Sequence, residues 1–542
     1  MAVPQAPELE VDLTVQAVEN LVTQFSSALD FYRELVQNSI DAGSAAIEVW
    51  LEFIAGAEDE GTIAIHVDDA GEGMNEEIID SQLTRLFSSS KDGDLTKIGK
   101  FGIGFVSVFA LRPDAVCVDT SKGGEHWRIL FRADKSFLRI AREQPVDGTK
   151  VQVIKAVTRA EHAELSRRAE ATLRAWCKHV AGTVRWHDDD IAEPFEIAGA
   201  LCSVRHEAEG MRVVVGYAAS GEASHGFYNR GLTLLEARGE GLVPGVAFKA
   251  DSKHLEHTMA RSDVMRDASF DRVMAVVQRL AEELPAALVQ VVGEALRSGG
   301  DPERLDAAQR VLARVVRAQG VPPQAPLVRT IDGAELGAGA LRKAARAGTL
   351  WVAAERSPLV EAAIAAGHGV VARGEGMTGI DELLRAVVER KVILAGRALV
   401  RPEPVDAARA REWAPLLAAV QALLGALELA VAGVAVARLG YPGSLLAGRL
   451  FALLPAADAL EPFTPELVRP LDRFGRRDVL VLDAEHPSLA PLPGLSRREP
   501  ELAAYTLLKL ACLETGALPV EVDARLCVAS AALRVARLER AS

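Results

Sequence analysis

The sequence predicts an α+β protein of three parts. Three observations carry that reading. Residues 1–155 alternate helical and strand-like pieces around glycine-rich loops. Beyond residue 327, short apolar strands and alanine-rich helices alternate in a βαβ rhythm of about thirty residues. The last part is helical and rich in Ala and Leu, broken by one strand at 479–482. The length of 542 residues exceeds one ordinary core, and about 150 residues per domain gives roughly three or four. With 49% hydrophobic and 25% charged residues there is enough apolar surface to offset chain entropy, which argues against global disorder.

Taken in order, residues 13–48 read as helix, 63–67 as a short apolar strand, and the segments at 115–117, 127–132 and 150–154 as further strands. A charged amphipathic helix is expected over 158–180, then strands near 212–217 and 231–235, then helices from 269 to about 312. The segment RAQGVPPQAP (317–326), with glycine and three prolines, has the composition of a linker. Strands follow at 327–331, 349–353 and 368–372. The most membrane-like stretch, 416–437, contains Gln421, Gly425, Glu428 and Gly433 and reads as a buried helix followed by a strand. The expected domains are 1–185, 186–318 and 327–542, the last with room for two subdomains.

Charge and cysteine usage narrow the function. Sixty-one basic against 75 acidic residues leave a net charge of −14, so no strongly basic face is available for a phosphate backbone. Nucleic acid is therefore not expected as the main partner. The five cysteines (Cys117, Cys177, Cys202, Cys512, Cys527) form no CxxC pair or metal-spaced cluster. The N-terminal MAVPQAPELEVDL lacks the basic end and apolar run of a secretory signal, and a reducing cytoplasm is the expected location.

Four blocks carry chemistry. In FYRELVQNSIDAG (31–43), Glu34, Asn38 and Asp41 lie about 40° and 20° apart on a helix and share a polar face, with Leu35 and Ile40 expected to point elsewhere. In IHVDDAGEGM (65–74), an apolar strand ends in Asp69, and Gly71 and Gly73 let the backbone turn close to a ligand before Met74. In GKFGIGF (99–105), Gly99, Gly102 and Gly104 form a flexible loop, with Phe101 and Phe105, running into a helix start at 106–110. Such a loop exposes N–H groups to phosphate. The fourth block, Gly148-Thr149-Lys150, leads into a strand. Each alone has a bland counterpart: a solvated helix face, a strand-to-loop turn, a hinge.

In order and spacing the blocks resemble the E-x-x-x-N-x-x-D-A, D-x-G-x-G, G-x-x-G-x-G and G-T motifs of the ATPase superfamily shared by gyrase, heat-shock protein 90, histidine kinases and MutL (GHKL). The resemblance implies a Bergerat-type ATP-binding α/β sandwich at the N-terminus, a middle α+β domain and a C-terminal α/β to helical region. It also implies ATP and magnesium as cofactors and ATP hydrolysis as the activity. By match, Glu34 would orient or deprotonate the attacking water, Asn38 would hold magnesium, and Asp41 would support the pocket. Asp69 would accept the adenine amino hydrogen, Gly73 would admit the base, and Thr149 would contact the ring edge through water. Gly99, Gly102 and Gly104 would line the phosphates, and residues 87–92 would form a closing lid with Lys91 as a phosphate contact.

Within the superfamily, FYREL and GKFGIGF are most similar to the heat-shock protein 90 chaperones, of the bacterial high-temperature protein G type. The segment HTMARS (257–262) resembles their middle-domain stretch whose arginine reaches the γ-phosphate, which would make Arg261 catalytic; Asn229-Arg230-Gly231 offers a competing arginine. The chain lacks an acidic interdomain linker. Its expected function is an ATP-dependent chaperone or conformational remodeller acting on a protein client, with a homodimer through the C-terminal region. The alternative is a non-chaperone switch of the same superfamily, bacterial conflict or DNA-associated and MutL-like, working through a dedicated partner. Asp41-Ala42-Gly43 fits MutL as well, but no endonuclease metal motif is present, and the first histidine, His66, falls inside the ATP-binding unit, which disfavours a histidine kinase. Gly374-x-Gly376-x-x-Gly379 meets the literal dinucleotide pattern and reads better as an ordinary strand-to-helix turn. His187 with Asp188–Asp190, and His254 with His257, lack a converging third metal ligand.

Overall fold

The computed structural model describes residues 19, 22, 27–57, 59–88, 103–239, 241–258, 263–388, 393–394, 399–429, 431–441, 443–516 and 518–541. The chain divides into two compact units, Met1–Ala287 and Leu288–Ser542.

The first unit begins with helix α1 (Phe31–Asp41). The chain does not stay helical to residue 48 as the sequence suggested. The N–H groups of Ala42, Gly43 and Ser44 return to the carbonyls of Asn38, Ile40 and Ser39, and Gly43 takes φ 75°, a left-handed stop that glycine adopts at no steric cost. Strand β1 (Ala46–Ala55) follows, burying Ile47, Val49 and Leu51 on one face. That alternation has the strand period of two. Strands β2 (Glu60–Asp69), β3 (Ala115–Lys122), β4 (Glu125–Arg132), β5 (Phe137–Ala141), β6 (Thr149–Thr158), β7 (Thr183–Trp186) and β8 (Asp189–Asp190) complete one sheet in the order β5-β4-β3-β6-β2-β1-β7-β8. Every pairing is antiparallel except β1 with β7.

Helix α2 (Arg159–Cys177) starts at a capping box in which Thr158 and Glu161 satisfy each other's backbone N–H groups. It joins α1 through one core that contains Leu35, Val36, Ala169, Leu173 and the inward residues of the sheet. The buried Arg33 guanidinium lies over the Trp176 ring, 4.7 Å from its centroid, and locks the two helices together.

A second sheet in the same unit, in the order β12-β11-β13-β10-β9, is built from β9 (Ala200–Ala208), β10 (Met211–Ala218), β11 (Ser224–Asn229), β12 (Leu232–Arg238) and β13 (Ala247–Ser252). Helix α3 (Ala268–Ser298) buries Val273, Val277, Leu280 and Leu284 at helical spacing, and Phe270 meets Phe227 of β11. His179, just beyond α2, ties the loop after β8 to the second sheet. Its Nδ1 is 3.0 Å from the Glu193 carbonyl and its Nε2 is 2.8 Å from Lys249 Nζ on β13. A carbonyl accepts and an ammonium donates, so His179 is neutral with its proton on Nδ1. Burial first, and then Lys249, lowers its pKa.

In the second unit, α4 (Pro302–Gln319) precedes strands β14 (Pro326–Arg329) and β15 (Glu335–Gly337), which pair with each other. Helices α5 (Ala338–Ala347), α6 (Pro358–Ala365) and α7 (Gly379–Val388) alternate with the parallel strands β16 (Leu350–Ala353), β17 (Gly369–Ala372) and β18 (Ile393–Leu394). This is the βαβ rhythm seen in the sequence. Strands β19 (Leu399–Val400) and β23 (Glu461–Pro462) pair on their own. A four-stranded sheet, β20-β21-β24-β22, is formed by β20 (Glu403–Pro404), β21 (Gly433–Arg438), β22 (Phe451–Leu454) and β24 (Val479–Asp483). It shares a core with α8 (Ala407–Ala426), α9 (Leu492–Ser496), α10 (Pro500–Glu514) and α11 (Val520–Ala541). The 416–437 stretch holds the end of α8, which buries Leu416, Val420, Leu423 and Leu424 on one face and exposes Gln421, Ala422 and Gly425 on the other, and then β21; among the described residues no helix is long and apolar enough to cross a membrane.

The glycine pattern after β17 has a packing cause. The Gly379 N–H donates to Asp306 Oδ1 at 2.6 Å, and a Cβ on Gly379 would lie 2.2 Å from the Asp306 carbonyl oxygen. A carboxylate of the chain therefore occupies the first turn of α7, where a dinucleotide phosphate would sit. Asp306 is buried and pairs with Arg310 at 3.2 Å. Asp306→Ala leaves the Gly379 N–H without its acceptor and is expected to cost about 1–3 kcal/mol; a lowered denaturant midpoint with no change in slope is the measurement that checks it.

Candidate functional site

A cavity of about 370 Å³ opens between α1 and the sheet, walled by Leu35, Asn38, Ser39, Asp41 and Ala42 of the helix and its stop, and floored by Val67, Val118 and Val151 of β2, β3 and β6. Helical spacing turns residues 35, 38, 39 and 42 toward one side. Leu35 consequently faces the cavity, contrary to the sequence expectation, and supplies an apolar wall, whereas Ile40 is not among the lining residues.

Asp69, at the end of β2, is the polar anchor. Its Oδ1 accepts from the N–H of Gly71 at 2.8 Å and of Thr149 at 3.2 Å, and its Oδ2 lies 3.0 Å from the Ser39 hydroxyl. An ionised carboxylate has about four lone-pair sites, so acceptor capacity remains toward the cavity that Asp69 lines. Burial pushes its pKa up against the downward pull of those three donors. Thr120 and Thr149 stand side by side, hydroxyls 3.1 Å apart, because β3 and β6 pair them in register. The Met74 N–H donates to Thr120 Oγ1 at 2.8 Å, holding Gly73 and Met74 on the cavity wall. Across the rim, Lys122 pairs with Glu72 at 2.8 Å.

Glu34 is on the same helix yet does not line the cavity. It is buried, and Gly104 packs on it: a Cβ at Gly104 would lie 2.7 Å from Glu34 Oε2. The third glycine of the loop therefore permits the helical turn Ile103–Val106 to approach the carboxylate. Phe105 lines the cavity, and Phe87 packs between Phe109 and Phe131, which anchors the entrance of the expected lid segment.

The structure brings together Asn38, Asp41, Asp69, Gly73, Met74, Phe105 and Thr149 on one cavity, with Gly71 on the Asp69 carboxylate. Lys91, Gly99, Phe101 and Gly102 lie outside the described residues, as does Arg261. On either side of residues 259–262, His257 bridges Val264 and the Thr258 N–H donates to the Asp263 carbonyl at 2.9 Å. Arg230, by contrast, is described and reaches Asp41 at 2.7 Å. Ser39, Glu72, Thr120 and Lys122 were not singled out from sequence. Ser39 and Glu72 sit inside recognised blocks, while Thr120 and Lys122 join only through strand register.

Magnesium accompanying nucleotide phosphates needs one or two protein oxygens, the rest coming from phosphate and water. The Asn38 carboxamide on the cavity wall can supply one. Among the described residues no cluster of three His, Cys, Asp or Glu side chains could hold an ion by itself. His187 and Asp188 instead form the turn between β7 and β8.

Residues 25–164 match the family described as Histidine kinase-, DNA gyrase B-, and HSP90-like ATPase. No curated protein matches the chain. The matched segment contains α1, strands β1 to β6 and the whole Asp69 network, and it is a GHKL-type ATPase domain.

Two expectations follow from the geometry. On the expectation that Asp69 accepts from an adenine amino group, the ionised carboxylate is the stronger acceptor, and because burial raises its pKa, ATP affinity should begin to fall on acidification earlier than for an ordinary aspartate. The folded state holds that proton more tightly than the unfolded chain, so the same group adds stability as pH falls. Opposite trends in calorimetric titration and thermal melting, both abolished by Asp69→Asn, check this. Gly104→Ala should move the Glu34 carboxylate and lower ATP turnover roughly 10- to 100-fold, read as kcat, with nucleotide binding retained.

Proposed function

We propose that the protein is a cytoplasmic, ATP-dependent molecular chaperone or conformational remodeller resembling heat-shock protein 90. Its parts are an ATP-binding domain over 1–185, a middle domain over 186–318 and a C-terminal region over 327–542. The observation that carries the nucleotide reading is the Asp69 carboxylate, held by Gly71, Thr149 and Ser39 at the edge of a cavity with an apolar floor. An adenine ring needs that combination: apolar faces to lie between and one fixed acceptor for its amino group.

In this reading Glu34 takes a proton from water as the water oxygen attacks the γ-phosphorus, and the bond to the β,γ-bridging oxygen breaks to release ADP. Asn38 would hold magnesium, which would supply neutralising positive charge to the phosphates when bound. Asp41 supports the helix end, and Arg261 reaches the γ-phosphate from the middle domain. Closure over the nucleotide draws the domains together and couples hydrolysis to work on a protein client.

A second reading is a non-chaperone GHKL switch acting through a dedicated partner; the family match, over residues 25–164, is to the ATPase domain that histidine kinase-, gyrase B- and HSP90-like proteins share, and so supports the switch as well as the chaperone. In either reading the exposed Val528, Val535 and Leu538 on α11 suit contact with a second copy or a partner.

The test is nucleotide titration with turnover. Asp69→Asn should weaken ATP affinity on the order of tenfold to a hundredfold. Glu34→Ala should still bind ATP but lose about 10² to 10⁴ in kcat, and unchanged turnover in that variant would remove Glu34 from the reaction. Co-purification from cells with Glu34→Ala separates the readings: many unrelated proteins retained means a chaperone, and one stoichiometric protein means a switch.

A further inference from the structure

The turn joining β11 to β12 holds a residue its backbone disfavours. Asn229 pairs directly with Leu232, leaving a two-residue turn of Arg230 and Gly231 with φ 48° and 82°. Both values are left-handed, as a type I′ turn requires, and Asn-Gly is the favoured pair there. An arginine in the first position carries backbone strain. The turn is also fixed in place. A Cβ on Gly231 would lie 2.0 Å from the His179 carbonyl oxygen, and the Gly231 N–H donates to the buried Asp251 at 3.1 Å. Held so, Arg230 directs Nη1 onto Asp41 Oδ1 at 2.7 Å.

Asp41 is the last residue of α1 and lines the nucleotide cavity. A carboxylate at the negative end of a helix dipole is unfavourable, and the last turn of α1 has no basic residue of its own. The cavity is also lined by Asp69 and Glu72, against Lys122, although it is to receive a triphosphate. We propose that Arg230 is a positioning residue for this pocket: by neutralising Asp41 from the second sheet, it lets the cavity mouth accept a polyanion. The strained turn is kept because the guanidinium is needed there. This inference rests on the ATP-binding reading, and it assigns Arg230 to ground-state binding, distinct from any arginine acting on the γ-phosphate during reaction.

The test uses the full-length chain with Mg-ATP, measuring KM, kcat and thermal midpoint for wild type, Arg230→Asn, Arg230→Lys, Asp41→Asn and the double variant Arg230→Asn/Asp41→Asn. Arg230→Asn should raise KM about three- to tenfold with kcat unchanged and no drop in thermal midpoint, since Asn suits the turn. Arg230→Lys should keep most of the affinity. Removing the Asp41 charge in the Arg230→Asn background should bring KM back toward wild type, and the defect should shrink at high salt. A KM within twofold of wild type in Arg230→Asn, a fall in kcat at constant KM, or no recovery in the double variant overturns the proposal. A wild-type protein that neither binds nor hydrolyses ATP overturns the pocket reading itself, and this inference with it.

Discussion

The site depends on how one half-buried carboxylate is satisfied. Asp69 loses water at the end of β2, and its three donors come from segments far apart in the chain: Ser39 on α1, Gly71 in the following loop and Thr149 at the start of β6. Each donor alone offsets part of the burial cost; together they fix the helix, the loop and the sheet relative to one another. The cavity is the space left between elements so fixed. Its shape and its position in the fold therefore have one cause.

The second constraint is close backbone approach. Gly104 admits a helical turn against Glu34, and Gly231 admits the β11–β12 turn against His179. The first places the third motif on the helix that carries Asn38. The second places the second sheet within reach of the same helix, through Asp41 and Arg230. Both contacts join the nucleotide pocket to parts of the chain that do not line it. Helix α1 thus makes contacts at both ends of its polar stripe.

The four motif blocks were legible because each is local: a helix period, a strand ending in an acid, glycines at fixed spacing. Asn38, Asp41, Asp69, Gly73, Phe105 and Thr149 from these blocks meet on one cavity. The misreadings have definite causes. Residues 46–48 were absorbed into a long helix and the rest of β1 was left unassigned, since the left-handed stop at Gly43 is one residue wide and the alternation of Ile47, Val49 and Leu51 was overridden by the helical signal before it. Leu35 was assigned away from the site because the polar stripe was assumed to define the facing side, whereas helical spacing turns Leu35 onto the cavity wall beside Asn38 and Ser39. Thr120 and Lys122 gave no local signal at all.

By itself, then, the sequence determined the α+β architecture of the N-terminal GHKL-type segment, the placement of Asn38, Asp41 and Asp69 on its cavity, and the alternation of strands and helices after residue 327. Periodicity and turn chemistry are properties of neighbours along the chain, and they are written there. Which threonine stands beside Thr149, which carboxylate fills the turn at Gly379, and which arginine meets Asp41 were decided only by tertiary structure. Those pairings depend on strand register and on backbone distances between segments up to 189 positions apart, and no local pattern encodes them.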